Sequence, residues 1–143
     1  MTTKEYLQQI FTIRQKISRL NSRRDEIRRE MYAMKSPAGK MSADKVQSST
    51  TGDQILKLIA SVDSIERDIV EEIQILEKMR DRISREIEAV PDDRYKRLLH
   101  QRYELCWRWE KIAADWGADG ISVRHIYRLH GDALKAFAKV LKK

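Results

Sequence analysis

Two arginines four residues apart lie at the start of an amphipathic segment near the C-terminus of the 143-residue chain. The segment opens at Ser122, a residue type favoured at helix N-caps, and its apolar side chains recur with helical spacing. If Ile126 and Leu129 face a core, Arg124 and Arg128 face outward. An arginine side chain can donate two hydrogen bonds to O6 and N7 of guanine. The spacing therefore predicts a helix able to read base edges in a major groove.

The outward face of this segment and its surroundings supply two groups of candidate contacts. The predicted base-reading residues are Val123, Arg124, Tyr127 and Arg128, because valine and tyrosine can touch a thymine methyl group beside the arginines. Phosphate contacts position a protein on DNA without specifying sequence. The candidates for that role are Arg102, Arg108, Lys111, Ser122 and His125.

Two further helices are predicted before this segment, over residues 92–105 and 109–116. Together with the segment from Ser122 they give a helix-turn-helix layout supported by a preceding helix. Pro91 breaks the preceding helical pattern, and acidic residues follow it where a new helix favours negative charge. The C-terminal domain is therefore predicted to span residues 91–143.

The strings LLHQRYELCWRWEKIAADWG and SVRHIYRLHGDALKAF carry a resemblance to known proteins. This part of the chain looks like the promoter-reading C-terminal domain of bacterial sigma factors and, more closely, resembles the ArpU/RinA-type transcriptional regulators of phages and prophages. The matching positions are Leu99, Arg102, Tyr103, Trp109, Ile112, Ala113, Gly117, Ser122, Arg124, Ile126–Gly131, Ala133 and Leu134.

The resemblance implies a sigma-like helix-turn-helix that binds double-stranded DNA and activates late genes. It also implies RNA polymerase as a further partner. One departure concerns the turn over residues 117–121, which is longer than a sigma-type turn. The docking angle of the last helix depends on how this turn folds.

Residues 1–90 are predicted to form an antiparallel helical hairpin, so the fold class is all-α. Apolar residues recur at spacings of three and four over residues 3–35 and again over 53–90, as in a coiled-coil seam. The intervening segment 36–52 is rich in Ser, Thr, Gly and Pro and is predicted to be a flexible loop. Extra apolar residues flank the second seam. The flanking residues are Ile59, Ile73 and Ile87. We expect them to pack against a further partner, either the C-terminal domain or a second copy in a homodimer.

Charge and composition limit the classes of function. The net charge is +7, with the excess on residues 1–35 and on the C-terminal domain, which suits a polyanionic partner. The single cysteine has no internal disulfide partner, and no apolar run is long enough to span a membrane. No catalytic, metal-ligating or cofactor motif is present, so neither an enzyme nor a cofactor is expected. The composition favours a cytoplasmic location, and the resemblance implies the cytoplasm of a bacterial host cell.

Two other functions remain open at the level of sequence. A small terminase subunit also joins a helix-turn-helix to a helical oligomerisation segment, and it forms rings. A helical adaptor would bind a protein through the hairpin and would show no salt-dependent affinity for DNA. The oligomeric state and the response of binding to salt distinguish these alternatives from a promoter-binding regulator.

Overall fold

The structure, a computed structural model, describes residues 1–35 and 48–142. The all-α prediction is confirmed, and the described residues contain no strand. The five helices are α1 (Thr3–Lys35), α2 (Ser48–Glu88), α3 (Asp93–Leu99), α4 (Trp109–Gly117) and α5 (Val123–Leu141). A π-helical turn, His100–Glu104, continues α3. Within the described ranges no helix combines the length and apolar character needed to cross a membrane.

Helix α2 begins earlier than the sequence predicted. Residues 48–52, which the predicted loop 36–52 included, belong to the first turns of this helix. Serine and threonine are common at helix N-termini, and a single glycine within a helix is tolerated, so this composition is compatible with either state. The rest of the predicted loop, residues 36–47, lies outside the described residues.

The chain divides into two compact units. The hairpin unit comprises residues 15–74, and the larger unit joins residues 1–14 to residues 75–143. This division differs from the expected boundary at Pro91, because the first turns of α1 pack with the C-terminal helices. Phe11 stacks on Tyr103 with ring centroids 5.6 Å apart.

In the hairpin unit, α1 and α2 run antiparallel. Lys16 pairs with Glu72 at 2.7 Å and Arg28 pairs with Glu66 at 2.8 Å, so residue numbers fall along α2 as they rise along α1. An ion pair with both partners exposed, such as Arg28–Glu66, contributes at most about 1 kcal/mol, and burial of the apolar seam supplies more. The buried seam residues of this unit are Ile27, Val62 and Ile69.

The larger unit is built around an aromatic and aliphatic core. Helix α2 ends at Glu88, before Pro91, and Asp92 caps α3 by accepting a hydrogen bond from the backbone N–H of Arg94 at 2.8 Å. Helices α3, α4 and α5 then pack around one buried cluster. Its members are Leu98, Ile112, Trp116, Ile126 and Leu129, with Tyr95, Trp107, Trp109 and Ile121 packed against them.

Candidate nucleic-acid interface

Helix α5 has one buried face and one open face in its first two turns. Its N-cap is Ser122, as predicted, and the Ser122 Oγ accepts a hydrogen bond from the backbone N–H of His125 at 3.2 Å. Ile126 and Leu129 are buried in the core of the larger unit. The inward face of α5 therefore fixes which side chains point away from the protein.

The four predicted base-reading residues all lie on the open face. They occupy an arc of about 140° at the start of α5. Val123 is 50% exposed and Tyr127 is 52% exposed. Arg124 and Arg128 are exposed, and neither forms a hydrogen bond or an ion pair with the described part of the chain. Their guanidinium groups are thus available to an external hydrogen-bond acceptor.

The long turn before α5 is folded and anchored. The backbone N–H of Asp119 donates to the Trp116 carbonyl at 2.9 Å, and the N–H of Ile121 donates to the same carbonyl at 3.3 Å. Gly120 adopts a left-handed conformation with φ of 79°, which glycine accommodates without steric cost. Ile121 packs against the core cluster, so the additional residues of this turn hold α5 in place.

An arginine on α3 ties the end of α4 to the turn. Arg97 donates to Asp115 at 2.8 Å and to Asp119 at 2.9 Å, and its guanidinium lies 4.2 Å from the centroid of the Trp116 ring. These hydrogen bonds raise the pKa of Arg97. The same bond to Arg97, with a second from Gln101, lowers the pKa of the Asp115 carboxyl. Asp115 is therefore held as a carboxylate at the end of α4.

Gln101, in the π-helical turn, joins two groups of α4. The side-chain Nε2 of Gln101 donates to Asp115 at 2.7 Å. The side-chain Oε1 of Gln101 accepts from the Trp116 indole N–H at 2.7 Å. Because Gln101 and Trp116 are both buried, each of these polar groups needs its partner inside the protein. The orientation of α4 relative to α3 is thus specified by directional bonds as well as by apolar burial.

A second polar pair anchors α5 itself. The Tyr103 hydroxyl and His130 Nε2 share a hydrogen bond of 2.8 Å in the core. Burial, with smaller effects of the positive charges of Lys4 and Arg102, lowers the pKa of His130 to about 4. Burial raises the pKa of Tyr103 to about 12. Both groups therefore stay neutral near pH 7, and His130 takes part in the core of the larger unit.

Arg102, a predicted phosphate contact, is instead engaged in the protein interior. Its guanidinium lies 4.6 Å from the Trp109 ring centroid and 5.0 Å from that of Phe11, and it donates to the Trp107 carbonyl at 2.9 Å. The Arg102 Nε is buried without a hydrogen-bond partner among the described residues. The Arg102 side chain is half-buried and packs against these rings. The structure therefore does not place it among the exposed cations that could contact phosphates.

The other predicted phosphate contacts lie at the surface near the starts of α4 and α5. Arg108 and Lys111 are exposed, and the Lys111 ammonium lies 4.3 Å from the centroid of the Trp107 ring. Ser122 is exposed although its hydroxyl already caps α5, and His125 is half-buried. Both cations are exposed to solvent at the start of α4, although Lys111 already contacts the Trp107 ring, and Arg108 has no ion pair within the described residues.

Sequence reasoning missed the residues that fix these helices. Arg97, Gln101 and Asp115 lie in unremarkable polar positions, and their mutual contacts depend on tertiary structure. His130 was recoverable, because its position one turn after Ile126 continues the buried face of α5. Its partner Tyr103 lies 27 residues away, so the pair itself has no local signal in the sequence.

The exposed side chains at the start of α5 offer hydrogen-bond donors, from Arg124 and Arg128, and apolar contacts, from Val123 and Tyr127. Among the described residues, no group of three or more His, Cys, Asp or Glu side chains could hold a metal ion. No family model, curated protein or solved structure matches the chain.

Proposed function

We propose that the chain binds double-stranded DNA in a sequence-specific manner through α5 and regulates transcription. The observation that carries this proposal is the pair of exposed arginines, Arg124 and Arg128, on the open face of a helix whose opposite face is buried. Each can donate two parallel hydrogen bonds to guanine, and Val123 and Tyr127 lie beside them to contact thymine methyl groups.

The fixed geometry around α5 supports this role. A base-reading helix must present its side chains at defined positions, and loss of rotational freedom on binding reduces affinity. The bonds of Arg97 to Asp115 and Asp119, and of Tyr103 to His130, hold α4, the turn and α5 together before any ligand binds. Recognition by α5 therefore needs little reorganisation of the protein.

Electrostatics supports DNA as the partner. The chain has a net charge of +7, and Arg108 and Lys111 lie exposed near the start of α4, where they can contact phosphates. Contacts of this kind release counterions from DNA, so affinity should fall steeply as salt concentration rises.

The class of regulator follows from the resemblance of residues 99–134 to ArpU/RinA-type proteins. Under the proposal the chain activates late genes of a phage or prophage in the cytoplasm of a bacterial host. RNA polymerase would then be its protein partner at the promoter.

The test begins with selection of bound sequences from a random pool of DNA, followed by affinity measurements on the selected site. Arg128→Ala should raise Kd by about 5- to 150-fold, the equivalent of 1–3 kcal/mol for one bidentate contact, and relax preference at one base pair. Lys111→Ala should weaken binding to all sequences and reduce the salt slope by about one. Lys139→Ala is the matched control, since Lys139 is also exposed on α5 and lies about 22 Å along the helix from Arg124.

Two outcomes would contradict the proposal. In the first, Arg124→Ala and Arg128→Ala together leave the selected site and its affinity unchanged, which would exclude α5 as the reading helix. In the second, DNA binding is absent or does not depend on salt, which would favour a protein-binding adaptor. Ring-shaped oligomers that stimulate a packaging ATPase would favour the terminase alternative.

A further inference from the structure

The side chain of Trp109 joins the core of the larger unit to the open face of α5. Trp109 is the first residue of α4, is half-buried, and packs against the core cluster. Its ring meets the ring of His130 edge-on, with centroids 4.7 Å apart and an interplanar angle of 76°. It also lies beside the ring of Tyr127, with centroids 5.3 Å apart and an angle of 55°. One side chain of α4 therefore contacts both a buried and an exposed residue of α5.

The neighbours of the Trp109 ring within the protein are themselves anchored. The guanidinium of Arg102 lies 4.6 Å from the Trp109 ring centroid and donates a hydrogen bond to the Trp107 carbonyl at 2.9 Å. His130 is buried and shares a 2.8 Å hydrogen bond with the Tyr103 hydroxyl. Because these contacts come from α5 and from the π-helical turn, the position of the Trp109 ring is fixed by the folded unit.

Tyr127 differs in this respect from the arginines beside it. Arg124 and Arg128 form no hydrogen bond or ion pair with the described part of the chain, whereas the ring of Tyr127 rests against Trp109. An exposed side chain otherwise distributes over the staggered χ1 positions that the helix allows. An aromatic pair favours the contacting orientation by about 2- to 12-fold. Tyr127 remains 52% exposed, so its ring is oriented before binding and still available to a ligand.

We propose that Trp109 is a positioning residue for sequence recognition, which holds Tyr127 in the orientation from which its ring contacts the 5-methyl group of one thymine. This inference rests on the proposed function, in which α5 reads the major groove. The thymine methyl group projects into that groove and is the feature that an apolar side chain can contact there. Trp109 acts through Tyr127, so part of the specificity of α5 depends on a residue of α4.

Replacement of each thymine of the selected site by uracil, one at a time, tests the methyl contact, because this change removes only the methyl group. At one position uracil should weaken binding of the wild-type chain about fourfold, the equivalent of one buried methyl group. Tyr127→Ala should bind both forms of the site equally at that position. In Trp109→Leu the response should fall to about twofold, because the Tyr127 ring is then distributed over two or three χ1 positions.

A double-mutant cycle on the thymine site separates positioning from a general structural role. Trp109→Leu should weaken binding about twofold in the wild-type background and have no effect in the Tyr127→Ala background. The same cycle with Arg124→Ala is the matched control and should be additive, since Arg124 lies on the same face about 60° further around the helix axis from the core. Trp109→Phe, which keeps an aromatic ring, should recover most of the fourfold response to uracil.

Far-UV circular dichroism and urea denaturation check that each variant is folded at the temperature of the binding assay. If Trp109→Leu is unstable, Trp109→Met is a second variant without a ring. The response to uracil is a ratio of two affinities of the same protein, so a smaller folded fraction lowers both affinities alike and leaves the ratio unchanged.

The outcomes distinguish this inference from the proposed function. Absence of sequence-specific DNA binding would overturn both. Specific binding that depends on Arg124 and Arg128, with an equal response to uracil in the wild type and Trp109→Leu, would overturn the role of Trp109 alone. Equal weakening by Trp109→Leu in the presence and absence of the Tyr127 ring would give Trp109 only a structural role. A selected site with no position at which Tyr127→Ala abolishes the response to uracil would exclude a methyl contact by Tyr127.

Discussion

Replacement of His130 by glutamine should remove a pH-dependent part of the stability of the larger unit. His130 is buried on α5 and shares a 2.8 Å hydrogen bond with the Tyr103 hydroxyl. Burial lowers its pKa from 6.5 to about 4 in the folded protein. The unfolded chain therefore takes up a proton at a pH where the folded chain does not, and protonation favours unfolding.

The direction and size of the effect follow from the two pKa values. The stability due to neutral His130 is fully present above pH 6.5 and declines as the pH falls towards 4. With a pKa of 6.5 in the unfolded state and about 4 in the folded state, this one group should cost about 2 kcal/mol of unfolding free energy between pH 7 and pH 5. Glutamine does not titrate, and its amide can still form a hydrogen bond with Tyr103.

Urea denaturation, monitored by tryptophan fluorescence, measures the stability of the larger unit, which contains His130. All three tryptophans lie in the larger unit, at positions 107, 109 and 116. The stability of the wild type relative to His130→Gln should fall by about 2 kcal/mol from pH 7 to pH 5. Tyr103→Phe separates the two causes, because it should lower stability by about 1–3 kcal/mol at pH 7 yet keep the pH dependence.

Parallel loss of stability in the wild type and His130→Gln over this range would refute the reasoning. It would mean that His130 is as accessible to protons in the folded protein as in the unfolded chain. Loss of the pH dependence in Tyr103→Phe would instead assign the low pKa to the hydrogen bond rather than to burial.

Two stability predictions use matched pairs of substitutions in the larger unit, both measured by urea denaturation at pH 7. Gly120→Ala should destabilise by about 1–2 kcal/mol because φ is 79° there, whereas Gly117→Ala, at the end of α4, should be neutral or stabilising. An equal loss at both positions would exclude backbone strain as the cause. Leu98→Ala should cost about 2–5 kcal/mol because Leu98 is fully buried, and Leu105→Ala, with a side chain 53% exposed, should cost less than about 0.5 kcal/mol.

The parts of the fold that sequence predicted are those encoded locally. The N-cap at Ser122 and the buried spacing of α5 follow from side-chain chemistry within a few residues of each position. The helix break at Pro91 and the acidic residues at the start of α3 are of the same kind. The heptad spacing also predicted the buried face of the hairpin helices, because one face of each long helix must be buried.

The parts that sequence did not predict depend on contacts between distant segments. The π-helical turn at residues 100–104 has no local signal, because its residues are compatible with an ordinary helix. Its side chains acquire their roles only when α4 and α5 are in place, as with Gln101 on Trp116 and Tyr103 on His130. The earlier start of α2, at Ser48, was missed because serine and threonine suit both a loop and a helix terminus.

The arginines of the larger unit show why residue type alone could not separate the roles within the candidate interface. Arg97 and Arg102 resemble Arg124 and Arg128 in composition and in helical setting, yet the first two lie against aromatic rings and the last two remain exposed. The planar guanidinium stacks on tryptophan as readily as it pairs with guanine, so the neighbouring rings decide its role. Under the proposed function the two pairs depend on each other, because Arg97 and Arg102, which are half-buried, hold α4 and α5 in the geometry from which the exposed arginines reach base pairs. Arg97→Lys should then weaken binding to the selected site although Arg97 does not face DNA, since lysine cannot bond Asp115 and Asp119 as a fork.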